Sequence, residues 1–131
     1  MTRSVRDTAV GYVESFASGD PETIASFVGD DFRNRHASAL GQPSTGKAAY
    51  LARLPGFLAL FIGLRYEIEQ VVVEGDVACV AYRMHAITDG HDGPGPIEVP
   101  GIMRIQVTAG EVVERVDYWD SLTFLRQTGR A

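Results

Sequence analysis

The spacing of the apolar residues changes near residue 62, and that switch limits the fold more than any other feature of the chain. Before it, apolar residues recur three and four apart, the repeat of one helix face. Val5, Ala9, Tyr12, Val13 and Phe16 mark a first helix over about Val5 to Ser18, with Gly19 just past its end. Asp20-Pro21-Glu22-Thr23 opens a second helix. Asp20 suits the cap and Pro21 the first helical position, and Ile24, Phe27 and Val28 form an apolar face before Gly29. Asp30 to Arg35 reads as a short extended piece, and Ala37 to Gly46 as a loop. Lys47 to Phe61 is a third helix, with Tyr50, Leu51, Leu54, Leu58 and Phe61 along one side. Pro55 predicts a kink or break near Arg53 to Pro55, because it lacks an N–H and crowds the preceding turn.

After the switch the chain alternates and is rich in β-branched residues. Four strands are predicted: Leu64 to Glu74, Val77 to Thr88, Ile97 to Thr108 and Val112 to Asp120. Gly75-Asp76, the Gly/Pro-rich stretch Asp89 to Pro96 and Ala109-Gly110-Glu111 separate them. Helices followed by an antiparallel meander predict an α+β fold. The expected shape is a cone, with three N-terminal helices packed on a curved, mostly antiparallel sheet that encloses a pocket. A length of 131 residues suits a single domain, 1–131.

Charge and composition exclude several functions. A net charge of −5 argues against nucleic-acid or anionic-membrane partners, which need a basic surface. The longest apolar stretch, Phe57 to Leu64, falls well short of the about 20 residues that span a bilayer. Met1 to Asp7 lacks the apolar core of a signal peptide. The single cysteine, Cys79, rules out an internal disulfide and a multi-cysteine zinc site, and fits a reducing cytoplasm. His36, His85 and His91 fall on three segments without metal-ligand spacing, so no metal is expected. "GHDGPGP" lies between two strands with no helix after it, so it does not read as a phosphate cradle, and no cofactor is expected.

Strand parity nominates the site. On the second strand, Val77, Cys79, Ala81, Arg83, His85 and Ile87 share one face; Ala78, Val80, Tyr82, Met84, Ala86 and Thr88 share the other. The first set starts apolar and ends in Arg83 and His85, the pattern of a pocket closed at one end and polar where a ligand reacts. Arg83 could instead pair with Glu67 or Glu69 on the neighbouring strand. On the last strand, Val113, Arg115, Asp117 and Trp119 share a face, and alternation alone does not choose which side points inward.

"VESFASGDPETIASFVGDDF", "VVVEGDVACVAYRM" and "GIMRIQVTAGEVVERVDYWDSLTFLRQTG" together resemble the SnoaL-like polyketide cyclase family. That family lies within the superfamily of nuclear transport factor two, ketosteroid isomerase, scytalone dehydratase and limonene epoxide hydrolase. The resemblance spans nearly the whole chain and implies the same cone. Against limonene epoxide hydrolase, Asp117 in "VDYWD" matches the catalytic aspartate, Arg83 in "YRMH" the arginine and Asn34 in "FRNRH" the water-orienting asparagine. Two positions depart: His85 replaces a second aspartate and Phe32 a tyrosine. Against ketosteroid isomerase, Tyr12 matches the oxyanion-hole tyrosine and His36 falls near the catalytic base. The cyclases use a histidine and an aspartate, which suits His85 with Asp117.

The resemblance therefore implies a cofactor-independent acid–base enzyme acting on a hydrophobic small molecule by aldol-type cyclisation, isomerisation or dehydration. Epoxide hydrolysis is the alternative, and a non-catalytic small-molecule or partner-binding module is a second one. Asp117, His85, Arg83 and Asn34 are the expected catalytic residues. Tyr12, His36, Phe57, Phe61, Met103 and Trp119 are the expected substrate contacts. A homodimer is expected through an outer-face patch of Tyr82, Tyr118, Val80, Val116 and Ile68.

Overall fold

A computed structural model describes residues 3–131; Met1 and Thr2, which open the polar N-terminal segment, lie outside the described residues. Helix α1 (Val5–Ser15) starts at Ser4, whose hydroxyl accepts from the Asp7 N–H at 3.0 Å. Thr8, Ala9, Tyr12 and Val13 form its buried face, and a single 3₁₀ turn carries Phe16 into the core. Gly19 ends that turn at φ 67°, a left-handed conformation that costs glycine little. Asp20 caps α2 (Pro21–Ala25), which is shorter than predicted because a turn at Phe27 leads directly into β1 (Val28–His36).

After the two-residue β2 (Ser44–Thr45) comes α3 (Lys47–Leu60). It runs through Pro55 without the predicted break. Pro55 is exposed, so the carbonyl left without its N–H partner lies toward water rather than the core. Strands β3 (Ile62–Glu74), β4 (Val77–Gly90), β5 (Gly93–Thr108) and β6 (Glu111–Trp119) follow, then α4 (Ser121–Gln127). α4 is a fourth helix that periodicity did not reveal, being too short to show a repeat; Asp120 caps it.

The six strands form one mixed sheet in the order β2-β1-β6-β5-β4-β3. Among the described residues, only the β1–β6 pairing is parallel. The helices cover one face, giving the α+β cone expected, with a curved sheet rather than a closed barrel.

Asp89 to Pro96 is not the predicted loop. β4 and β5 continue through it to a turn at His91-Asp92, with Gly90 opposite Gly93. Three prolines fit this strand because Pro94, Pro96 and Pro100 all have the same parity, and β6 pairs with β5 only from Gly101 onward. Their missing N–H groups therefore fall on an open edge. Glu98 shares that parity, and Gln127 of α4 pairs with its backbone in both directions, at 2.7 Å and 2.8 Å. α4 thus covers the edge that β6 leaves free.

Candidate active site

The buried charges owe their position to a bulge. In the β5–β6 ladder Gln106 pairs with Glu114 and Val107 with Val112, leaving Val113 as an extra residue. The bulge turns both Val112 and Arg115 inward although they are three apart, and Asp117 and Trp119 follow Arg115 onto that face. On the neighbouring β1, Phe32, Asn34 and His36 point the same way. The parallel register sets Asn34 beside Arg115 and His36 beside Asp117.

Asp117 is held at both oxygens. Arg115 Nη2 donates to Oδ2 at 2.8 Å, and the Tyr82 hydroxyl donates to Oδ1 at 2.6 Å. The Arg115 and Asp117 side chains are only 5% and 4% exposed. Tyr82 belongs to β4, so it must cross β5 to reach Asp117. It does so over Gly101, where a Cβ would lie 2.5 Å from the tyrosine Cζ. Arg115 also donates to the Tyr12 hydroxyl at 3.1 Å, and Tyr12 shares a 2.6 Å hydrogen bond with Tyr50. Burial works against the Arg115 charge, but the oxygens of Tyr12, Asp117, Tyr50 and Tyr66 more than offset it, and the guanidinium stays protonated. Burial pushes the phenols of Tyr50, Tyr66 and Tyr82 well above their ordinary range, so they remain neutral donors.

Above this polar floor lies a cavity of about 600 Å³. Phe16, Phe57, Phe61, Tyr66, Met84 and Trp119 contribute apolar walls, and Asn34, His36, Tyr82, Arg115 and Asp117 contribute the polar groups. Arg53 of α3 donates to the Pro43 carbonyl at 2.7 Å and so ties down the loop at the mouth. Ser38 of that loop hydrogen-bonds to Ser121 of α4. His36 accepts at Nδ1 from the Trp119 indole N–H at 3.2 Å. Burial first, then the Arg115 charge, brings the His36 pKa down to about 4, against the opposite pull of Asp117. The Asn34 Oδ1 is buried with no hydrogen-bond partner among the described residues.

A SnoaL-like domain model matches residues 9–115. The chain belongs to the SnoaL-like family. Comparison with curated protein sequences gives no match. Among solved structures, a candidate SnoaL-like polyketide cyclase from Shewanella denitrificans OS-217 superposes with a TM-score of 0.85 at 18% identity, covering 97% of this chain and 98% of that one. One from Jannaschia sp. CCS1 gives 0.81 at 22% identity, covering 100% and 99%. The candidate polyketide cyclase IdmH of Streptomyces antibioticus gives 0.80 at 22%, covering 97% and 99%. At these identities the likeness is one of fold.

In this SnoaL-like chain, Asp117, Asn34, His36, Phe57, Phe61 and Trp119 line the cavity. Tyr12 and Met103 are fully buried and do not line it; Tyr12 backs the floor and Met103 pairs with Asp117 across the ladder. Arg83 and His85 do not face the interior, which corrects the parity chosen for β4. The inward set is the uncharged one: Ala78, Val80, Tyr82, Ala86 and Thr88 are buried. Arg83 pairs with Glu69 at 3.3 Å and Glu98 at 3.2 Å, and His85 with Glu67 at 2.9 Å, all on the outer face. Cross-strand pairing accounts for that mixed face. Tyr82, Val80 and Ile68 also leave the expected dimer patch: the first two are buried inside, and Ile68 pairs with Tyr82 on the inner face and packs against the core. The cation beside Asp117 is Arg115, two residues earlier on the same strand. That spacing was visible in the sequence; the bulge that makes the face inward was not.

Among the described residues, no group of three or more His, Cys, Asp or Glu is placed to hold a metal ion, and no helix is long and apolar enough to cross a membrane.

Proposed function

We propose that this SnoaL-like protein is a proton-transfer enzyme of the cyclase or isomerase kind, with Asp117 as general base on a hydrophobic carbonyl compound. One observation carries the reading: a buried carboxylate, fixed at both oxygens, at the floor of an apolar cavity. Each carboxylate oxygen keeps a lone pair beyond the one that Tyr82 or Arg115 engages. Asp117 removes a proton from the carbon next to the ligand's carbonyl. The C–H electron pair becomes a C=C bond, and the carbonyl π pair moves to oxygen. The enolate carbon then attacks a second carbonyl, whose π pair moves to its oxygen and takes the proton back from Asp117, as in aldol closure, or Asp117 returns the proton to another carbon, as in isomerisation. Phe57, Phe61 and Trp119 hold the ligand's rings against this floor. Epoxide opening with two acids has less support, because Asp117 is the one carboxylate among the described lining residues.

The test is deuterium exchange at C1 of 2-tetralone, a bicyclic ketone with an acidic C–H beside its carbonyl, followed by NMR in D₂O. Asp117→Asn is expected to slow exchange by about 10²–10⁴-fold. A folded Asp117→Asn protein that exchanges as fast as the natural one overturns the reading. If that variant also binds 2-tetralone unchanged, a binding module becomes the better description.

A further inference from the structure

We infer that His36 is a neutral hydrogen-bond donor that holds the ligand's carbonyl oxygen through Nε2–H, with Trp119 fixing the proton on that nitrogen. The inference rests on the proton-transfer reading above and assigns its second partner. The indole nitrogen can only donate. Its 3.2 Å contact with His36 Nδ1 therefore requires that nitrogen to be unprotonated, which leaves the ring's proton on Nε2. Nε2 makes no hydrogen bond among the described residues, although the ring lines the cavity.

The ring's surroundings keep it neutral. Arg115 and Arg53 oppose a charge on it, Asp117 favours one, and burial outweighs that attraction. Its position is fixed from behind as well, because a Cβ at Gly41 would overlap the His36 Cβ. The β1–β6 register places His36 opposite Asp117, about 4.8 Å away along the backbone ladder. Donor and base thus flank one spot in the cavity. A ketone seated there directs its oxygen to His36 and its neighbouring C–H to Asp117. As the proton moves to Asp117, negative charge gathers on the ligand oxygen and the Nε2–H bond strengthens. The neutral imidazole stays neutral throughout; the proton on the Asp117 carboxyl exchanges with D₂O, and return of that deuteron to the ligand carbon closes the cycle. Trp119 is a positioning residue in this scheme.

Two measurements decide the matter. In ¹⁵N spectra of uniformly labelled protein at pH 7, His36 is expected to show an unprotonated Nδ1 and a protonated Nε2. Trp119→Phe should release this into a mixture of tautomers. An imidazolium, or a proton on Nδ1, overturns the inference. In the 2-tetralone exchange assay, His36→Phe should lower the rate by about 10²-fold, and His36→Gln, which retains an amide N–H, should recover part of it. Exchange that needs Asp117 but is unchanged in His36→Phe overturns the role of His36 and leaves the base standing. If the natural protein gives no exchange, the proton-transfer reading fails, and titrating 2-tetralone into the labelled protein still decides the inference. A shift of the Nε2–H signal supports it; no shift overturns it.

Discussion

Replacing Gly101 with alanine puts a methyl group where Tyr82 crosses β5. The new Cβ would lie 2.5 Å from Tyr82 Cζ, closer still to its hydroxyl, and 2.9 Å from the Tyr118 carbonyl oxygen. Carbon–oxygen contacts normally begin near 3.3 Å, so the ring must retreat by about 1 Å. That takes a 2.6 Å hydrogen bond to Asp117 beyond useful length. Losing a bond to a buried charge costs about 1.5–3 kcal/mol, and overpacking adds about 1–3 kcal/mol. A total of about 3–5 kcal/mol is expected, a large share of the stability of about 5–15 kcal/mol usual for a domain. Urea unfolding reads it directly: with a slope of about 1–3 kcal/mol per molar, the midpoint should drop by more than about 1 M. The control is the same change in a Tyr82→Ala background. There only the Tyr118 contact remains, and the cost should fall to about 1 kcal/mol, a coupling of about 2 kcal/mol or more. Equal costs in the two backgrounds, or a Gly101→Ala protein as stable as the natural one, refute the account of how Tyr82 reaches Asp117.

Two further outcomes are expected. The folded-state pKa of His36 is depressed from 6.5 to about 4, so the unfolded chain binds more protons in that interval. Stability is therefore full above pH 6.5 and declines as pH falls toward 4; the part of the decline lost in His36→Phe should be roughly 2 kcal/mol, reduced from the full shift because the ring is partly exposed. An acid-unfolding curve identical in both proteins contradicts the burial of His36. On the outer face, Arg83→Ala and His85→Ala should leave 2-tetralone exchange unchanged, since their partners are Glu69, Glu98 and Glu67; a large rate loss in either refutes their outward placement.

Much of this was legible in the sequence, and the failures have physical causes. Helix faces and the Asp20 cap were readable because capping chemistry and apolar spacing act locally. Asp117 was readable as a strand acid with aromatic neighbours. The β4 face was misjudged because Arg83 and His85 look like pocket chemistry until their partners on β3 and β5 are known. The β4–β5 turn was misread because Gly and Pro there signal a loop, whereas the open edge of β5 accepts the prolines. Tyr82 could not be nominated at all: its route to Asp117 depends on an absent side chain at Gly101, on a strand between them.

The position of β6 has a consequence for how the molecule is made. It is the last of the described strands to be synthesised, yet it lies between β1 and β5 near the middle of the sheet. Until it docks, the sheet is in two pieces, β2–β1 and the β3–β4–β5 meander, each with an open edge. Its parallel pairing with β1 joins residues as far apart as Asn34 and Arg115, and such long-range closure is slow. The strand that joins the halves also carries Arg115 and Asp117, so no partly made chain has a floor to its cavity. Lesions that weaken β6 should therefore reveal themselves as aggregation during synthesis before they appear as lost activity in the folded protein.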